Sequence, residues 1–232
     1  MDLGLYIAAS GMVAEQTRES QLSNELANAS TPGYKTEEAP QRSFGKLLLE
    51  NTQSGQAVGS IDTGVRLGRA VTNLTPAPAR ETGGALDFAV QGSGFFAVRT
   101  PQGVRYTRDG QFTVSACGQL VDGQGDPVLN QRGAPIAVGA NGRVAATALG
   151  VFELKEAHKQ GENLFGGTPA GRASGTVRQG ALEESSVNPV TAMVETIGAL
   201  RTFQSGQQAI QTIDETLQAA ATQVGSVNAD GS

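Results

Sequence analysis

The chain has no tryptophan, a single histidine, a single cysteine and only three tyrosines among its 232 residues. Each shortage excludes something. Without tryptophan and with so few tyrosines there is little from which to build an aromatic box around a ligand. One histidine, His158, excludes a metal site made of several histidines. One cysteine, Cys117, excludes an internal disulfide and leaves the redox compartment open. Charged residues make up 17% of the chain, below the usual share of about 25%. The net charge is −5, and the basic residues, mostly arginine, are scattered singly from Arg18 to Arg201. Phosphate contacts need clustered Lys and Arg, so nucleic acid is not an expected partner. No apolar run approaches the roughly 20 residues that span a bilayer. The first residues, "MDLGLYIAAS", carry Asp2 where a leader peptide needs Lys or Arg. Neither membrane insertion nor a cleaved Sec-type leader is expected.

Catalytic motifs are missing too. There is no G-x-S-x-G elbow, no H-E-x-x-H and no phosphate-binding loop. "GSGFF" lacks the lysine and the following helix of such a loop. His158 in "KEAHKQG" reads as a solvated surface residue. Glu37-Glu38 and Glu183-Glu184 are adjacent acids that face opposite sides of a strand, a poor arrangement for acid/base work. They read as solubilising charge. Arg105 and Arg108 flank Tyr106 in "VRYTRDG" and read as a solvated β face. No catalytic residue, cofactor or metal is expected.

What the chain does have is glycine, 31 residues of it, and a helix at each end. Leu5, Ala8, Ala9 and Met12 mark one face of an N-terminal helix, continued by Leu22 and Leu26. Asn28, Ser30, Thr31, Pro32 and Gly33 then stop it, because proline cannot continue a helix and restricts the residue before it. Near the other end Asn188 suits an N-cap and Pro189 the first helical position. From there runs an apolar stripe: Val190, Met193, Val194, Ile197, Leu200, Phe203, Ile210, Ile213, Leu217, Ala220, Val224. Its steps of three and four resemble a coiled-coil seam, with a slip of register at Leu200 to Phe203.

Between the helices, residues 83 to about 182 read as all-β. Short alternating runs ("ALDFAVQ", "GFFAVRT", "VRYTR", "QFTVS", "QLVD", "VFELK") are separated by Asp-Gly, Gly-Asp and Asn-Gly pairs that suit tight turns. A sandwich or partly open barrel is expected. The predicted organisation is α+β: an antiparallel pair of long terminal helices, coiled-coil-like, and a mainly antiparallel β domain joined by an extended linker. The expected boundaries are 1–33 for the first helix, 34–82 for the linker, 83–187 for the β domain, 188–226 for the last helix and 227–232 for a tail. In "FGKLLLE" a helical turn and a short strand remain open; Val65, Leu67 and Val71 favour strands.

Three blocks carry a family resemblance. "ASGM…SNELANASTPGYK" resembles the opening signature of the bacterial flagellar axial proteins, the rod and hook subunits. Its hinge residues are Ser23, Asn24, Leu26, Ala27, Asn28, Thr31, Pro32, Gly33 and Tyr34, with Glu25 where the family usually has Asn. The middle block resembles the β domain of the distal-rod type at Gly92, Gly94, Phe95, Phe96, Tyr106, Thr107, Arg108, Asp109 and Gly110. The block "GALEESSVNPVTAMVETIGALRTFQSGQQAIQTIDETL" resembles the closing helix, with Pro189 as a departure. The blocks come in family order and cover most of the chain.

The resemblance implies a structural subunit of the basal-body rod, of the distal or the outermost proximal type; the short middle of the chain and "FGKLLLE" favour the distal type. It implies self-association into a helical polymer around an export channel, with neighbouring rod and hook subunits as partners. It further implies type III export without a cleaved signal, contacts with the P and L rings, and a place in the cell-envelope rod. The packing seam would be Leu5, Met12, Leu22, Leu26, Val190, Met193, Ile197, Leu200, Phe203, Ile210, Ile213 and Leu217. The competing reading is a secreted, monomeric, adhesin-like β-domain binding module, which has no need of two terminal helices.

Overall fold

The computed structural model describes residues 2–43, 45–50, 57–62, 64–139, 141–161 and 163–227. They form two compact units. One gathers Met1–Asn24, Ala39–Ala70 and Val190–Ser232; the other gathers Glu25–Glu38 and Val71–Pro189. Residues 34–82, expected as one linker, are thus shared between both units. The tail beyond Val227 and Phe44 of "FGKLLLE" lie outside the described residues. The chain is α+β, with long terminal helices and a mainly antiparallel β domain.

The first unit is built on the two helices, α1 (Asp2–Ala27) and α2 (Pro189–Val227). At about 1.5 Å per residue, the 39 residues of α2 make a rod of about 58 Å. The helices are antiparallel. Arg18 pairs with Glu195 at 3.3 Å, whereas Gly4, near the start of α1, lies beside Ile213, far along α2. Gly206 faces Met12 so closely that an added Cβ would sit 2.7 Å from Met12 Cγ. Two hairpin layers complete this unit: Gln41–Ser43 pairs with Val65–Leu67, and Lys46–Glu50 with Ala57–Asp62. "KLLLE" is therefore a strand. The hairpin is fastened to α1, since Ser10 Oγ accepts the Val65 amide at 3.3 Å and Gln41 donates to Glu15 at 3.1 Å.

The register of α2 differs from expectation. Ala192, Thr196, Ala199, Phe203, Gly206, Ile210, Ile213 and Leu217 are all buried or half-buried, and their steps alternate four and three without a slip. Val190, Met193, Val194, Ile197 and Leu200 are exposed. The apparent slip at Leu200 arises because two stripes overlap in sequence. One is a covered seam whose first three positions, Ala192, Thr196 and Ala199, are small residues. The other is a set of large apolar residues left in the open. On α1, likewise, Leu22 is buried and Met12 half-buried, while Leu3, Leu5, Tyr6 and Val13 are exposed.

In the second unit, four antiparallel strands close on themselves. Phe95–Thr100 pairs with Gly103–Thr107, that strand with Leu164–Arg172, that with Val151–Lys159, and the last returns to Phe95–Thr100. Val128–Leu129 extends the free part of the 95–100 edge. The continuous apolar run "FFAV" is explained by a strand covered on both faces. Phe96 and Val98 enter one core cluster with Phe88, Phe112, Leu120 and Val128. Phe95 and Ala97 enter a second with Tyr106, Leu129 and Phe165. Alongside run the pairs Phe88–Gln91 with Thr176–Gln179 and Ala79–Glu81 with Ala181–Glu183. Turn chemistry is as the sequence suggested: Asp122 Oδ1 accepts the amides of Gln124 and Asp126 at 2.9 and 2.8 Å.

Candidate functional site

Hinge residues and β-domain residues meet around one buried cluster of charge in the second unit. α1 ends by local rules. The Asn28 and Ala29 amides fall back on the carbonyls of Glu25 and Leu26 in a tightening last turn, and the Thr31 amide reaches Asn28 O. Pro32 prevents continuation. Gly33 then takes φ +67°, a conformation that costs any residue with a Cβ. Its amide donates to the Glu183 carbonyl at 2.9 Å. This turn points Tyr34 and Lys35 inward, where both are almost wholly buried.

Lys35 Nζ lies 2.6 Å from Glu183 Oε1 and donates to the Thr75 carbonyl at 2.7 Å. On the other side of the carboxylate, Arg108 Nη1 lies 3.0 Å from Glu183 Oε2. Arg108 Nη2 donates to the Gly92 carbonyl at 2.9 Å, and the guanidinium stands over the Phe95 ring, 5.0 Å from its centre. The Ala77 amide also donates to Glu183 Oε1, at 2.9 Å. All three charged side chains are at most 2% exposed. Burial pushes the Lys35 ammonium below its usual range, against the hydrogen bond and charge of Glu183.

Two expectations are corrected here. Glu183 is not solubilising charge, and Arg108 is not on a solvated face. Glu183 ends the strand Ala181–Glu183, all three residues of which are buried, and Glu184 just beyond it is exposed. Arg108 directly follows the strand Gly103–Thr107, in which Tyr106 and Thr107 are also buried. Sequence reasoning missed Lys35 and Glu183 as partners. The one available signal was Lys35 at the end of "NASTPGYK", a charge directly behind a turn that brings its neighbour Tyr34 inward.

Hydrogen bonds tie the same two segments together around the cluster. Ser185 Oγ donates to the Asn28 carbonyl at 3.0 Å, the Ser186 amide to the Tyr34 carbonyl at 3.0 Å, and the Thr36 amide to Ser186 Oγ at 2.9 Å. Lys159 Nζ sits 3.8 Å from the centre of the Tyr34 ring and donates to the Lys35 carbonyl. Of the other hinge residues, Leu26, Thr31 and Pro32 are half-buried, and Ser23, Asn24 and Ala27 are exposed on α1. Of the β-domain motif, Gly94, Phe95, Phe96, Tyr106, Thr107 and Gly110 are buried, Asp109 half-buried and Gly92 exposed. Burial raises the Asp109 carboxyl, which nevertheless accepts the Gln111 amide.

These contacts hold segments in place; they do not form a nucleophile with a base. His158 and Cys117 are exposed. Among the described residues, no group of three or more His, Cys, Asp or Glu is arranged to hold a metal ion. No helix among them is long and apolar enough to cross a membrane.

Known families match this chain in three places. The model of the flagella basal body rod protein family matches residues 5–35. That of the flagellar hook protein FlgE/F/G D1 domain matches residues 89–153. That of the flagellar basal body rod FlgEFG protein C-terminal matches residues 178–223. The flagellar basal-body rod protein FlgF of Caulobacter vibrioides is 31% identical, over 98% of this chain and 100% of its own length. FlgF of Rhizobium meliloti is 34% identical over 88% of this chain and 90% of its own. FlgG of Buchnera aphidicola (subspecies Acyrthosiphon pisum) is 30% identical over 92% of this chain and 96% of its own.

Proposed function

The chain belongs to the flagellar basal-body rod protein family, and from that premise we propose that its two helices polymerise it into the axial drive shaft. It is a structural subunit of the rod, and the alternative of a monomeric adhesin-like module has no support among its relatives. The observation that carries the assembly reading is the open apolar stripe Val190, Met193, Val194, Ile197 and Leu200 on α2. Leu3, Leu5 and Tyr6 on α1 are exposed as well. Rows of this kind on a long helix mark a surface to be covered by other helices. Copies of the same chain, and neighbouring rod and hook subunits, are the proposed cover. A contact that passes from copy to copy without closing builds a filament.

The covered seam, from Ala192 to Leu217, holds the helix pair of each subunit; the open stripe joins subunits. Torque then passes through helix–helix contacts around an export channel. The proposed route to the site is type III export without a cleaved signal, to a rod lying in the cell envelope with the P and L rings around it. No residue is assigned a catalytic role, and no cofactor is required.

Ile197→Asp tests the stripe. A charge on an exposed position leaves the single chain folded, with helix content unchanged and unfolding free energy within about 0.5 kcal/mol of wild type. In the assembly the same charge would be buried without a partner. Sedimentation over a wide concentration range should show wild type associating and Ile197→Asp remaining monomeric, while Gln218→Asp associates normally. Association of Ile197→Asp at the wild-type concentration contradicts the role given to this stripe.

A further inference from the structure

We propose that residues 28–36 form a releasable strap, latched onto the strand unit by the ion pair between Lys35 and Glu183. The strap is the segment by which the chain leaves α1 and enters the strands. Its docking is of an unusual kind. Neither core cluster contains a residue from it. Tyr34 is the one large apolar side chain it buries; Asn28 and Lys35 are its buried polar ones.

Most of what holds the strap is polar. Gly33 N donates to Glu183 O, Ser186 N to Tyr34 O, Thr36 N to Ser186 Oγ, and Lys35 Nζ to Glu183 and Thr75. A buried ion pair fixes geometry well, while desolvation offsets much of its attraction. Burial acts on Lys35 in that sense, favouring its uncharged form. A segment docked this way opens at lower cost than the strands beneath it, which are held by two apolar clusters.

The asymmetry of the cluster makes opening feasible. If the strap lifts, Lys35 carries its charge out into water. Glu183 does not become a bare buried carboxylate, because Arg108 remains 3.0 Å away and the Ala77 amide still donates to it. The strand unit keeps a satisfied interior with the strap open. Release therefore frees the segment leading from α1, and loosens its ties to Ser185 and Ser186 just ahead of α2, without unfolding the strands.

Native-state hydrogen exchange on the full chain tests this. The amides of Gly33, Thr36 and Ser186 report on the strap; those of residues 88–90 and 96–98 report on the strands. Lys35→Met removes the latch and leaves the Arg108–Glu183 pair intact. The Thr75 carbonyl and Glu183 each lose a charged hydrogen bond, so strap amides should then exchange about 10-fold to 100-fold faster, and strand amides less than about threefold faster. An equal rise in both groups shows that the strap unfolds only with the whole unit, and overturns the proposal. No change in the strap amides shows that Lys35 is not the latch, with the same consequence. Wild type in low denaturant gives a second test that needs no variant. Strap amides should exchange through an opening with a shallower denaturant dependence than strand amides; identical dependence contradicts the strap.

Discussion

Glu183→Gln lowers the unfolding free energy of the strand unit by about 3–5 kcal/mol, the loss typical when one member of a buried ion cluster is removed. The substitution keeps shape and removes charge. Lys35 and Arg108 are then left facing each other's vicinity with no anion between them, both nearly inaccessible to water. Their remaining partners are carbonyls of Thr75, Val90 and Gly92, which solvate a cation less well than a carboxylate does. The neighbouring exposed acid provides the comparison. Glu184→Gln alters a side chain whose ion pair with Arg80 spans 4.0 Å at the surface, so stability should move by no more than about 1 kcal/mol. Denaturant unfolding followed by a strand-sensitive signal measures both. Equal effects of the two substitutions would mean that the cluster contributes nothing specific.

Gly33→Val carries the second large effect. A residue with a Cβ at φ +67° meets the left-handed penalty of about 1–2 kcal/mol. The added carbon would also lie 2.4 Å from the Arg108 carbonyl carbon and 2.6 Å from the Asp109 amide. Those are backbone atoms, which cannot swing aside, so overpacking adds about 1–3 kcal/mol. The damage falls on the docking of residues 28–36 against Arg108 and Asp109. Exchange of the Thr36 and Ser186 amides in the Gly33→Val chain at the wild-type rate would contradict the close packing of this turn.

How far the sequence discloses the structure depends on how local each signal is. The end of α1 is legible because Asn28, Pro32 and Gly33 act on their own neighbours. The strands through Phe88, Phe95 and Tyr106 are legible because short apolar runs stand between turn residues. The Leu164–Arg172 strand is not, since Gly166, Gly167 and Pro169 read as breakers. At Gly167 the neighbouring backbone comes close: an added Cβ would lie 3.2 Å from the Lys155 carbonyl oxygen on the adjacent strand. The covered seam of α2 was hidden because Ala192, Ala199 and Gly206 do not register in a count of large apolar residues. The charge cluster was hidden most completely. Lys35 and Glu183 lie 148 positions apart and Arg108 and Glu183 lie 75 apart, and each alone resembles surface charge.

The helix pair and the charge cluster divide the work of the subunit. The strand unit uses polar groups to hold residues 28–36 against residues 183–186. The helices use apolar surface, part of it covered within the chain and part left open. A rod subunit needs both, a defined geometry and uncovered surface for its neighbours.

Electron micrographs of basal bodies from cells lacking this chain test that account most directly. Without it, the rod should stop short of its full length, no hook should follow, and expression of the wild-type chain should restore both. Complete rods bearing hooks, in cells that lack the chain and swim normally, would contradict its assignment as a structural subunit of the rod.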